Sequence, residues 1–162
     1  MTERLAPSAE LTPDTVGVLQ DATRVLTGVA LRSVDVLQGA VTLPQFRMLA
    51  VLGDLGQARS AEVARALGLE ASTVTRLADR LVTAGYVARG SEPGHRGVVT
   101  LELTASGERL VRQVAQWRAQ ELARIFGQLA PADQTRLIDG LRQLIQAAGD
   151  EYGLISRGLV PV

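Results

Sequence analysis

The chain contains no cysteine and no lysine, a single histidine, and only one tryptophan, two tyrosines and two phenylalanines in 162 residues. Without cysteine there is no disulfide, no thiolate metal site and no thiol-based sensing of oxidants. With His95 as the only imidazole, a metal centre built on histidines is excluded as well, and neither a metal nor a cofactor is expected. No stretch approaches the roughly eighteen apolar residues of a membrane span, and the opening MTERLAPSAE carries acids where a signal peptide needs a basic and then an apolar run. The protein is therefore expected in the cytoplasm, away from membranes. The parts of an enzyme are missing too: there is no nucleophile–base pair and no glycine-rich phosphate loop. Gly90-Ser91-Glu92-Pro93-Gly94 lacks the strand-to-helix setting of a nucleophilic serine elbow.

Nor is there an excess of charge of either sign, since seventeen arginines meet seventeen acids. A neutral balance counts mildly against a protein that holds a polyanion through its overall field. The distribution partly answers this. Residues 1–58 hold four arginines against six acids, 59–96 six against four, and 97–162 seven against seven. The middle segment alone is positive. With 46% hydrophobic residues and few aromatics, the length suits one domain with an aliphatic core.

That middle segment, Arg59 to Arg89, reads as a helix-turn-helix. Ser60 is expected as the N-cap of a first helix, with Glu62 in its first turn against the dipole and Val63, Ala64 and Leu67 on its apolar face. Gly68 permits the left-handed residue that closes such a helix, and Leu69 tucks back beneath it. A second helix is expected from about Ala71 to Thr83. Val74, Leu77, Ala78 and Leu81 recur at three- and four-residue spacing and face inward. Ser72, Thr73, Thr75, Arg76 and Arg80 are left outward or on the flanks. A wet helix face usually carries long charged side chains. One opened by small hydroxyls with arginines behind them suits a helix pressed against a partner, such as the DNA major groove. Read alone, that face serves equally as an N-terminal cap followed by solvated arginines.

The next residues decide between these. Tyr86 to Arg89 and Val98 to Leu103 have strand character, and between them lies a Gly/Pro turn. Two strands joined by a loop after a recognition helix make a wing. His95 and Arg96 at its tip are candidates for the minor groove or flanking phosphates.

Around this head the pattern is helical. Thr12-Pro13-Asp14 starts a helix whose apolar period, Leu19, Ala22, Val25, Leu26, Val29, Ala30, Val34 and Leu37, persists to Gly39. Thr42 and Gln45 have capping-box spacing at the start of a helix through Leu52 that points Phe46, Leu49 and Leu52 inward. Thr104 caps a long helix from Ala105 to about Gln128, and Pro131 opens a last one with a stripe of Leu137, Leu141, Leu144 and Ile145 ending near Gly149. The terminal helices have more apolar surface than the head can cover. A twofold dimer would cover it and would set two recognition helices about one DNA turn apart.

Several of these runs together resemble the MarR-type regulators: Thr42-Leu43-Pro44-Gln45-Phe46, Ala61-Glu62-Val63-Ala64-Arg65-Ala66-Leu67-Gly68, Ser72-Thr73-Val74-Thr75-Arg76-Leu77-Ala78-Asp79-Arg80-Leu81, Gly85-Tyr86-Val87-Ala88-Arg89 and Leu103-Thr104-Ala105-Ser106-Gly107. The match is close from about residue 40 to 110 and elsewhere is one of helix layout. One departure stands at the wing tip, where the family commonly carries Asp-x-Arg and this chain has Gly94-His95-Arg96-Gly97. The resemblance implies that the first helix and the last two interdigitate between protomers. It further implies a pocket between platform and head, lined by Thr42–Leu55 and the base of the helix from Ala105, that takes a small, often aromatic or anionic, effector.

The expected architecture is mainly α with a small β-hairpin wing. It is a single domain over residues 1–162, with dimerisation helices at about 12–38 and 105–149 and a winged helix-turn-helix head at about 42–104. The expected function is a dimeric regulator of the repressor type that binds an inverted repeat in double-stranded DNA and is released by a small ligand. Ser72, Thr73, Thr75 and Arg76 are assigned to the major groove, Arg80 to a phosphate, and His95 and Arg96 to the wing-side groove. The competing class is a winged-helix module that docks the same helix on an acidic protein partner.

Overall fold

A computed structural model describes residues 12–91 and 98–149. The order of elements is α1 (Pro13–Asp35), α2 (Leu43–Leu55), β1 (Ala58–Arg59), α3 (Ser60–Leu67), α4 (Ala71–Thr83), β2 (Val87–Ser91), β3 (Val99–Leu103), α5 (Ala105–Phe126) and α6 (Pro131–Ala148). The fold is mostly helical with one small antiparallel sheet in the order β1-β3-β2, as expected for a winged helix-turn-helix. No helix among the described residues is long and apolar enough to cross a membrane.

α2 is the centre of the head. Phe46, Met48, Leu49, Ala50, Val51 and Leu52 are all buried, and a helix apolar on every side belongs in the interior. The start of α2 has the predicted chemistry, with the Thr42 N–H donating to Gln45 Oε1 at 2.7 Å. It runs past Leu52 to Leu55 and stops at Gly56, whose φ of 69° suits glycine. Val63 and Leu67 of α3, Val74 and Leu81 of α4, Val87 of β2, Leu101 of β3 and Val111 and Val114 of α5 complete one core around α2.

The helix-turn-helix closes as the sequence requires. Gly68 is left-handed (φ 64°, ψ 35°), and the Leu69 N–H returns to the Ala64 carbonyl at 3.0 Å, the bond that ends a helix in a Schellman turn. Leu69 packs partly buried against the core. α4 spans Ala71–Thr83 with Val74, Leu77, Ala78 and Leu81 buried.

Two expectations need correction, and one strand is additional to them. The cap of α3 is Arg59, not Ser60. Arg59 is extended (φ −70°, ψ 147°) because it pairs with Thr100 in the sheet, so the cap conformation falls on the last strand residue and Ser60 is already helical. The N–H of Arg59 is taken by Glu62 Oε2 at 2.7 Å. The strand β1 itself was not anticipated. Finally, α1 ends at Asp35 rather than continuing toward Gly39. Gln38 and Gly39 have φ of 50° and 80°, and this left-handed pair turns the chain into α2.

The flanking helices pack less. α1 lies along α5 and buries only Val29 and Ser33. α6 buries no residue at all.

Candidate nucleic-acid interface

Four inward residues fix the rotation of α4, so its opposite face is defined by the same spacing. Ser72, Thr75, Arg76 and Arg80 are exposed and Thr73 is half-buried. Thr75 Oγ1 donates to the Ala71 carbonyl at 3.0 Å, a common arrangement for a helical threonine that leaves the oxygen free to accept. Arg76 reaches Thr73 Oγ1 through a long contact of 3.4 Å and has no carboxylate partner among the described residues. Arg80 has none either. Both guanidiniums are therefore available to an outside anion at little cost in lost ion pairing.

Asp79, the one acid between these arginines, is paired across elements with Arg89 of β2. The pair ties β2 to α4 and neutralises the carboxylate that lies between Arg76 and Arg80. Neither residue had been assigned a role from sequence. Asp79 lies beside Arg80 on the helix and is visible there, but the approach of Arg89 depends on how β2 leaves the corner at Gly85.

The wing is rooted firmly. β2 and β3 pair from Val87↔Leu103 to Ser91↔Val99. Toward the outer end of the described ladder Gln57 Nε2 donates to Thr100 Oγ1 at 3.0 Å. A β-carbon on Gly90 would come within 2.9 Å of that hydroxyl and 3.1 Å of the amide, so glycine is what fits there. His95 and Arg96 lie outside the described residues.

Two of the open clefts lie where the head meets the flanking helices. One, about 390 Å³, lies between α2, β3 and the start of α5, lined by Leu52, Gly53, Glu102, Glu108, Val111 and Arg112. Arg112 is already engaged by Glu108 at 3.1 Å, so this cleft offers an anion no free cation. The other, about 360 Å³, lies where α1 turns into α2, with Leu31, Arg32, Asp35, Val41 and Leu43 on its walls.

A buried polar contact joins the flanking helices α1 and α5. Arg118 of α5 is 6% exposed and donates through Nη2 to Ser33 Oγ at 2.9 Å. Ser33, fully buried, donates in turn to the Ala30 carbonyl at 2.6 Å. Arg118 Nε has no partner, and burial lowers the pKa of the guanidinium from its ordinary value, although an arginine stays charged at physiological pH. The spacing Val111, Val114, Arg118 is the signal: Arg118 occupies the position that continues the inward stripe. Further along α5, on the surface, the hydrogen bond from Arg124 holds the Glu121 carboxyl below its usual range.

Comparison with known proteins agrees with this geometry. Residues 41–96 match the model of the MarR family. The HTH-type transcriptional repressor MdtR of Bacillus subtilis is 31% identical over 119 residues, covering 73% of this chain and 77% of that protein. Among solved structures, RV1404 from Mycobacterium tuberculosis superposes with a TM-score of 0.79 at 35% identity, covering 89% of this chain and 99% of that one. A MarR family protein from Bacillus stearothermophilus gives a TM-score of 0.72 at 28% identity, over 85% and 97% of the two chains. Those spans exceed the head, so the likeness includes the flanking helices.

Proposed function

Given that the chain belongs to the MarR family of DNA-binding transcriptional regulators, which are not enzymes, we propose that two copies read an inverted repeat in double-stranded DNA, repress the adjacent genes and are released by a small molecule. The outer face of α4 carries this reading. Its short hydroxyls allow the helix backbone to approach a groove floor, and two arginines without acidic partners wait behind them. Ser72, Thr73, Thr75 and Arg76 contact base edges, Arg80 holds a phosphate, and His95 with Arg96 touches the wing-side groove. Two copies are favoured by apolar side chains exposed along α1 and α6, which a partner's equivalent helices would cover. Repression is supported by likeness to a relative named as a repressor, and release by clefts located where head and flanking helices meet.

The test is selection of bound duplexes from a random-sequence pool by the purified protein, followed by binding and stoichiometry on the selected site. The expected result is a paired half-site bound by two chains, with salt-sensitive affinity. Arg76→Ala should weaken that complex by about 1–3 kcal/mol while hardly changing binding to shuffled DNA, because a bidentate base contact is sequence-specific. Equal losses on both DNAs would make Arg76 a phosphate contact. Failure to select any sequence would turn the interpretation of α4 toward a protein partner.

A further inference from the structure

A paired half-site is readable only if the two recognition helices are held at one separation and one angle. The covalent route from α4 to α5 runs out along β2 and back along β3, which is a long lever for such a task. Hydrogen bonds cut across it. At the end of α4 the Gly85 N–H donates to the Val82 carbonyl at 3.0 Å and the Tyr86 N–H to the Leu81 carbonyl at 2.9 Å, with Gly85 left-handed at φ 77°. The carbonyls of these same two residues are taken by Thr104. Its Oγ1 donates to Gly85 O at 2.7 Å and its N–H donates to Tyr86 O at 3.0 Å. That hydroxyl also accepts the Gly107 N–H at 3.2 Å, capping α5.

Gly107 allows this closeness. It is buried in the first turn of α5, and a β-carbon there would overlap the Tyr86 carbonyl oxygen and meet the carbonyl carbon at 3.1 Å and Leu103 Cδ2 at 3.2 Å. Backbone against backbone has no side chain that can rotate away. From this joint α5 runs unbroken to Phe126, with Arg118 bonded to Ser33 of α1 on the way. A shift of α5 must therefore carry the end of α4 with it.

We propose that Thr104 and Gly107 are positioning residues that couple the recognition helix to α5 and thereby determine the half-site spacing the dimer accepts. The inference rests on the dimeric DNA reading above and adds a specificity determinant remote from the DNA-facing side chains.

Selection from the random duplex pool tests it, read as the distribution of spacings between half-sites. One inserted base pair moves a half-site by about 3.4 Å and about 35°, so the wild-type protein should disfavour it roughly tenfold or more. Thr104→Val removes both hydroxyl bonds. Thr104→Asp keeps an acceptor for the Gly107 N–H and so preserves the cap of α5, but has no proton for Gly85 O. Both variants should select the same half-site sequence while spacings one or two base pairs apart are recovered within about threefold of each other. Thr104→Ser, which retains donor and acceptor, should restore a single spacing. A folded, dimeric Thr104→Asp protein that keeps the wild-type spacing would overturn the proposal. If the wild-type protein itself selects no paired half-sites, the dimeric reading fails and the spacing role falls with it.

Discussion

In the head, Met48, Leu49, Val63, Val74, Leu81 and Leu101 have no exposed surface, whereas Val25 and Leu26 of α1 are 53% and 50% exposed and Leu144 and Ile145 of α6 are 54% and 70% exposed. Both sets lie on helical or strand periods. An apolar stripe specifies that a face is to be buried and says nothing about what will bury it. In the head the covering elements are supplied within some seventy residues of the same chain. In α1 and α6 they are not supplied by the described residues, and the stripe becomes information about assembly.

The contrast should break most visibly in the head. Leu81→Ala removes a side chain with no exposure from α4, the helix proposed to face DNA, and truncations of this kind cost about 2–5 kcal/mol. Chemical denaturation should show that loss at every protein concentration. Ile145→Asp in α6 is the counterpart. It should leave the monomer's own packing nearly untouched, because that side chain is 70% exposed, yet weaken association by about 1.5–3 kcal/mol per protomer, the value of burying one large aliphatic residue. The measurement is sedimentation across a concentration series. A dimer unaffected by Ile145→Asp would mean that α6 is covered by something other than its twin.

What could be read from sequence follows from how local each determinant is. The limits and inward face of α4 were legible because Val74, Leu77, Ala78 and Leu81 repeat within thirteen residues. Gly68 announced its turn because left-handed backbone favours glycine. β1 was not legible: it is two residues long and exists only because Ala58 and Arg59 find Leu101 and Thr100. The displaced cap at Arg59 is a consequence of that pairing. Of the candidate site, Ser72, Thr75, Arg76 and Arg80 lie exposed as their spacing required, while the Asp79–Arg89 pair needed the course of β2. Arg118 is not legible because a charged residue on an apolar stripe reads as an exception, and its partner Ser33 lies on a different helix.

That buried contact gives a sharper comparison between α1 and the head. Ser33→Ala would leave Arg118 a buried cation that has lost its side-chain hydrogen-bond partner, and an orphaned buried polar group costs about 1–3 kcal/mol. Arg118→Met fills similar volume without leaving a charge behind and should cost less, or stabilise, since apolar replacement of buried charges is often neutral or favourable. The expected order in thermal unfolding is Arg118→Met at or above wild type and Ser33→Ala below it. The reverse order would show that the guanidinium, and not its burial, holds α1 on α5.

The smallest effect on stability is expected where the pair is exposed. Asp79 and Arg89 have side chains 54% and 43% exposed, and ion pairs of that kind contribute about 0.2–1 kcal/mol. Asp79→Asn should therefore melt close to wild type. Its effect on DNA should be larger, because the substitution removes the carboxylate that lies between Arg76 and Arg80 and frees Arg89 for a phosphate. Affinity for shuffled duplex should rise, and the slope of log binding constant against log salt should steepen by about one unit, one further phosphate being neutralised. Weaker binding at an unchanged slope would instead mean that Asp79 serves to aim the wing, and that the ion pair contributes geometry to the interface more than it withholds charge from it.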